Sequence, residues 1–74
     1  MIYVMLAEGF EEIEALAFVD ILRRADIDIK TVSTDNTEFV VGSHGIKVAA
    51  DILMDNAENI VDGIVLPGGI PGTY

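Results

Sequence analysis

The sequence predicts an α/β fold: an open, mostly parallel sheet with helices on both faces. Three observations carry that expectation. Two short apolar segments, MIYVML at the start and GIVLP near the end, read as buried strands. A helical run, GFEEIEALAFVDILRR, separates the first of them from an alternating segment, IDIKTVST, so the order is strand, helix, strand. A Gly/Pro-rich loop, LPGGIPGT, follows the last strand. Open α/β sheets bind ligands in the crevice outside the carboxyl ends of their strands.

Taken in order, residues 1 to 6 form the first strand and Ala7 to Gly9 a tight connection. The helix begins near Phe10 or Glu11. Its first turn carries Glu11, Glu12 and Glu14, and its end carries Arg23 and Arg24. Both placements complement the helix dipole. Residues 27 to 34 alternate as a strand, and DNTE is a turn. FVVGSHGIKVAA reads as a hairpin joined through Gly42 to Gly45. DILMDNAENI reads as a loop with one helical turn, GIVLP as a buried strand, and GGIPGTY as a loop.

Composition narrows the function classes. Of the 74 residues, 51% are apolar and 23% charged, which places the chain among folded rather than disordered sequences. The net charge is −9, with four basic residues, so no electrostatic footprint for DNA or RNA exists and an acidic surface repels anionic lipid. No apolar run is long enough to span a membrane, and no basic start precedes an apolar signal core. The cytoplasm is the expected compartment. There is no cysteine, hence no disulfide and no thiol nucleophile within these residues. His44 is the sole histidine and builds no metal site by itself; no cofactor is expected.

A parallel sheet must be covered on both faces, and the sequence offers one good helix. Between residues 13 and 22 only Glu14 and Asp20 are polar. A helix apolar nearly all round is buried on more than one side. One side is expected on the sheet and the other against something outside this sequence. The chain also stops in a loop where a further helix is due. The 74 residues are therefore expected to be one part of a domain, completed by further sequence, a second fragment or another subunit.

Glu14 shares a helix face with Ala17, Phe18 and Ile21. Two readings stand: an acid solvated at a helix end, or a carboxyl in apolar surroundings able to donate a proton. Asp20 lies three and four residues before Arg23 and Arg24, so a local ion pair is its simplest reading. Gly68 and Gly69 lack side chains, so their N–H groups can approach a ligand or a developing oxyanion. The loop lacks the Lys and Ser/Thr of a nucleotide-binding P-loop. GSHG reads as a turn, with His44 structural. On residues alone, a nonenzymatic ligand-binding module and an interaction module that folds on pairing both remain open.

VMLAEGFEEIEALAFVDILRRA, then GSHGIKVAAD, then DGIVLPGG resemble, in this order, the N-terminal part of the ThiJ/PfpI superfamily. The resemblance implies a flavodoxin-like domain, commonly a homodimer, of which residues 1–74 are the N-terminal portion. It implies a nucleophilic cysteine on a strand-to-helix turn, contacted by a glutamate at the place of Glu14. It places the Gly69 N–H, beside Gly68, at an oxyanion site. It sets the first helix at a subunit interface, with Phe18, Asp20 and Arg24 as interface residues. The implied activities are glyoxalase or deglycase chemistry on small reactive aldehydes or glycated groups, protection under oxidative stress, and, in relatives, peptidase activity. Two departures stand out. No cysteine is present, and Asp26 occupies a helix-ending position where the family often has glycine.

Overall fold

The structure is a computed structural model that describes residues 1–67. Four parallel strands make the main sheet, in the order β5-β2-β1-β6. They are β1 (Ile2–Leu6), β2 (Ile29–Ser33), β5 (Ile52–Leu53) and β6 (Gly63–Val65). The register pairs Ile2 with Ile29 and Leu6 with Ser33 on one side of β1, and Ile2 with Gly63 on the other. A separate antiparallel hairpin joins β3 (Phe39–Val41) and β4 (Lys47–Ala49), as the sequence predicts. The segment read as a loop with one helical turn holds the 3-10 turn Met54–Asn56, preceded by β5. That strand is two residues long, too short to leave a periodic signal.

Helix α1 (Glu12–Arg24) returns the chain from β1 to β2. Glu11 caps it, its Oε1 accepting from the Ile13 N–H at 2.9 Å. At the far end the Ile27 N–H donates to the Leu22 carbonyl at 3.0 Å and the Asp26 N–H to the Arg23 carbonyl at 3.1 Å. This pair of bonds is a Schellman stop, which sets the residue after the cap in the left-handed region. That residue is Asp26, at φ 60. The departure from glycine therefore leaves the helix end in place and costs backbone strain instead.

The core lies between the sheet and one side of α1. Val4, Leu6 and Ile29 meet Ala15 and Val19 of the helix, with Phe10 and Val40 closing the carboxyl end. Tyr3 and Val32 point to the opposite face and are also buried. There the Tyr3 hydroxyl accepts from the Glu58 N–H at 2.9 Å, tying down the segment after the 3-10 turn. The outer side of α1 is uncovered: Ile13 is 67% exposed and Ile21 63%, with Leu16 and Phe18 beside them. Ile64 and Leu66, in and just after β6, are exposed as well. Among the described residues β6 is an edge of the sheet. No helix among them is long and apolar enough to cross a membrane.

Candidate functional site

In a parallel sheet all strands end on the same side, so the loop after β1, the start of α1 and the chain leaving β6 share the carboxyl end. The turn at residues 42–46 is bound to that end. The Gly9 N–H donates to the Val41 carbonyl at 2.8 Å, and the Ser43 N–H to the Phe10 carbonyl at 2.8 Å. Gly9, at φ 85, supplies the left-handed turn that brings Phe10 beneath the hairpin.

The centre of this junction is Glu12, a residue the sequence reading treats only as a helix-start acid. It is fully buried. Its Oε2 accepts from the backbone N–H of His44 at 2.8 Å and of Ile46 at 3.1 Å. Its Oε1 lies 2.8 Å from His44 Nδ1 and accepts from the Ser43 hydroxyl at 3.4 Å. Burial pushes the Glu12 carboxyl up, but the His44 ring and the backbone N–H groups of Glu12, Ile46 and His44 outweigh it and hold the pKa at about 2. The same contact to Glu12, with the charges of Glu11 and Glu12, raises His44. Gly42 closes the cradle: a Cβ there would overlap Glu12 Cδ and Cγ. The spacing that reveals this is GFEE followed by GSHG, a small residue and a turn able to receive the second acid. Neither motif signals the pairing alone, because 32 positions separate the bonded residues Glu12 and His44.

Glu14 stands on the exposed side of the first turn of α1, and so do Ala17, Phe18 and Ile21. The shared face expected from spacing exists, and its four residues are exposed. Asp20 forms the expected local pair, its Oδ1 3.1 Å from Arg24 Nε. Arg23 turns away from it to Asp51 Oδ2 at 2.8 Å. Asp51 in turn accepts from the Thr31 N–H at 2.9 Å, joining α1, β2 and the start of β5. Gly68 and Gly69 lie outside the described residues.

An open parallel α/β sheet with acidic groups gathered at its carboxyl end defines a flavodoxin-like domain portion with a candidate site at the helix start. The DJ-1/PfpI family profile matches residues 1–74, and the chain belongs to that family. It is 46% identical over 72 residues to Protein DJ-1 homolog B of Arabidopsis thaliana, covering 96% of this chain and 16% of that protein. It is 37% identical to Protein dj-1beta of Drosophila melanogaster, covering 95% of this chain and 38% of that one. Among solved structures, oxidized Toxoplasma gondii DJ-1 superposes with a TM-score of 0.88 at 41% identity, over 95% of this chain and 39% of its own. Drosophila DJ-1beta superposes with a TM-score of 0.88 at 35% identity, covering 96% and 39%. The chain thus spans well under half the length of these relatives.

Proposed function

We propose that these residues are the N-terminal portion of a cysteine-dependent DJ-1/PfpI protein that acts on small reactive aldehydes or glycated groups, in a glyoxalase- or deglycase-like manner or in oxidative-stress protection. The observation that carries the reading is the position of Glu14. It stands in the first turn of α1, at the sheet end where β1 and β6 both terminate.

The thiol comes from outside these 74 residues, which contain no cysteine. Its thiolate attacks the aldehyde carbon, forming the S–C bond, and the carbonyl π pair moves to oxygen. The Gly69 N–H, with Gly68 removing steric bulk, stabilises that oxygen. Glu14 delivers a proton to it, giving a hemithioacetal. With a 2-oxoaldehyde such as methylglyoxal, the former aldehyde C–H proton then moves through an enediol to the neighbouring carbonyl carbon, with Glu14 as proton carrier. Water cleaves the resulting thioester to a 2-hydroxy acid and the free thiol. The remaining C-terminal portion covers the open sheet edge and carries the thiol. A second copy packs on the outer side of α1, with Phe18, Asp20 and Arg24 in that interface. The reaction needs neither a cofactor nor nucleic acid, and the cytoplasm is its compartment.

The test uses the chain joined to, or combined with, the cysteine-bearing portion, assayed for methylglyoxal consumption. Glu14→Gln should lower kcat/KM by about 100-fold, the usual scale of a lost general acid, and leave the melt nearly unchanged. Turnover independent of the thiol, or unaffected by Glu14→Gln, would remove the reading.

A further inference from the structure

We propose that Glu11, Glu12 and His44 form a binding site for a zinc-class divalent cation, between the start of α1 and the turn at residues 42–46. One atom from each of the three residues lies within 4.8 Å of the others. His44 Nδ1 is 2.8 Å from Glu12 Oε1 and 3.6 Å from Glu11 Oε1. The Ser43 hydroxyl lies 3.4 Å from both His44 Nδ1 and Glu12 Oε1. Ligands bound tetrahedrally to zinc at about 2.0–2.1 Å stand about 3.3 Å from one another. The distances from His44 Nδ1 to the two carboxylates, 2.8 and 3.6 Å, bracket that spacing, so a cation enters with small side-chain shifts.

Three further features support a site rather than a chance grouping of acids. The first is preorganisation. Glu12 is held by two backbone N–H bonds through Oε2, which leaves Oε1 facing the His44 ring. The second is charge. Among the described residues neither Glu11 nor Glu12 has an ion pair with arginine or lysine; the basic partner of both is the His44 ring. Arg23 and Arg24 are engaged by Asp51 and Asp20, and Lys47 lies over the Phe39 ring. The third is access. His44 is half exposed and Glu11 part-exposed, so an ion reaches the cluster from solvent and water completes its shell. One imidazole with two carboxylates favours zinc, cobalt, nickel or copper over magnesium or calcium. The metal takes the Nδ1 lone pair, the ring carries its proton on Nε2, and any proton displaced from Nδ1 passes to solvent. The site is independent of the proposed thiol chemistry.

The test titrates zinc chloride into the metal-freed chain by calorimetry, with Co²⁺ as spectroscopic substitute. One Zn²⁺ should bind per chain, and Co²⁺ should give the visible bands of low coordination number. His44→Ala and Glu11→Gln should each weaken binding by about tenfold or more. Far-UV circular dichroism checks that both variants keep the fold. On the unaltered chain, Zn²⁺ should shift the His44 Nδ1 resonance, a readout that needs no variant. No saturable binding, an unmoved Nδ1 resonance, or equal affinity in either variant overturns the proposal.

Discussion

Gly42→Ala is the sharpest perturbation of the junction between α1 and the hairpin. An added Cβ overlaps the Glu12 carboxyl carbon. A loosely held glutamate would swing aside at little cost. Glu12 cannot, because its Oε2 is the acceptor for the N–H groups of His44 and Ile46. Displacing it orphans both. Both bonds are part-buried and end on a charged acceptor, where each contributes about 1.5–3 kcal/mol, so the expected loss is about 4 kcal/mol. For a domain this small that corresponds to a fall in Tm on the order of 15–30 °C. Gly63→Ala is the control. Its nearest neighbour is Ile2 Cγ1 at 3.8 Å, an ordinary contact, so its effect should stay within about 1 kcal/mol. Thermal melts followed by circular dichroism measure both. In a Glu12→Ala background the clash partner is gone, and Gly42→Ala should change stability by no more than about 0.5 kcal/mol. Equal melts for the two glycine variants, or full additivity of Gly42→Ala with Glu12→Ala, would refute the reasoning.

Asp26→Gly relieves the left-handed strain at the Schellman stop and should stabilise the chain by about 1 kcal/mol; a lower Tm would contradict this. Acid should weaken the tie among α1, β2 and β5. Burial pushes the Asp51 carboxyl up, but the Thr31 N–H and the Arg23 charge outweigh it and leave it lowered from 3.8. A carboxyl depressed on folding contributes stability above its unfolded pKa and loses it as pH falls through the folded value. Denaturant midpoints should therefore decline below about pH 4, and less so in Asp51→Asn. A variant with the same acid slope as the parent would exclude Asp51 as a source. Ile21→Lys places a charge on the open side of α1, where the parent residue is 63% exposed. It should weaken self-association by about tenfold without lowering helix content, as read by light scattering and circular dichroism.

The fold was legible where periodicity or composition was strong. MIYVML marks the central strand β1, and GIVLP marks β6, which is an edge among the described residues and half-exposed rather than buried. The acids and arginines at its ends bracket α1 within a residue or two. The hairpin was legible from its glycines. Asp20 and Arg24 were legible as a local pair because four residues separate them on one helix. Glu12 was not. It is one of three acids in a single turn, and the sequence gives no local reason for one to be buried while Glu14 two residues on is exposed. The choice is made by the turn at residues 42–46, whose N–H groups need an acceptor and whose Gly42 makes room. His44 read as a turn residue for the same reason: its partner is 32 positions away. The register of β5 also escaped the sequence, because a two-residue strand is fixed by its neighbour rather than by its own pattern.

Sedimentation velocity across a hundredfold range of chain concentration (about 1 to 100 μM, spanning weak and moderate association) tests the central claim most directly. If the outer side of α1 and the edge strand β6 are contact surfaces, the sedimentation coefficient rises with concentration, and adding the complementary family portion produces a discrete heavier species. A monomer at every concentration that melts in one cooperative step and takes up no partner would contradict it.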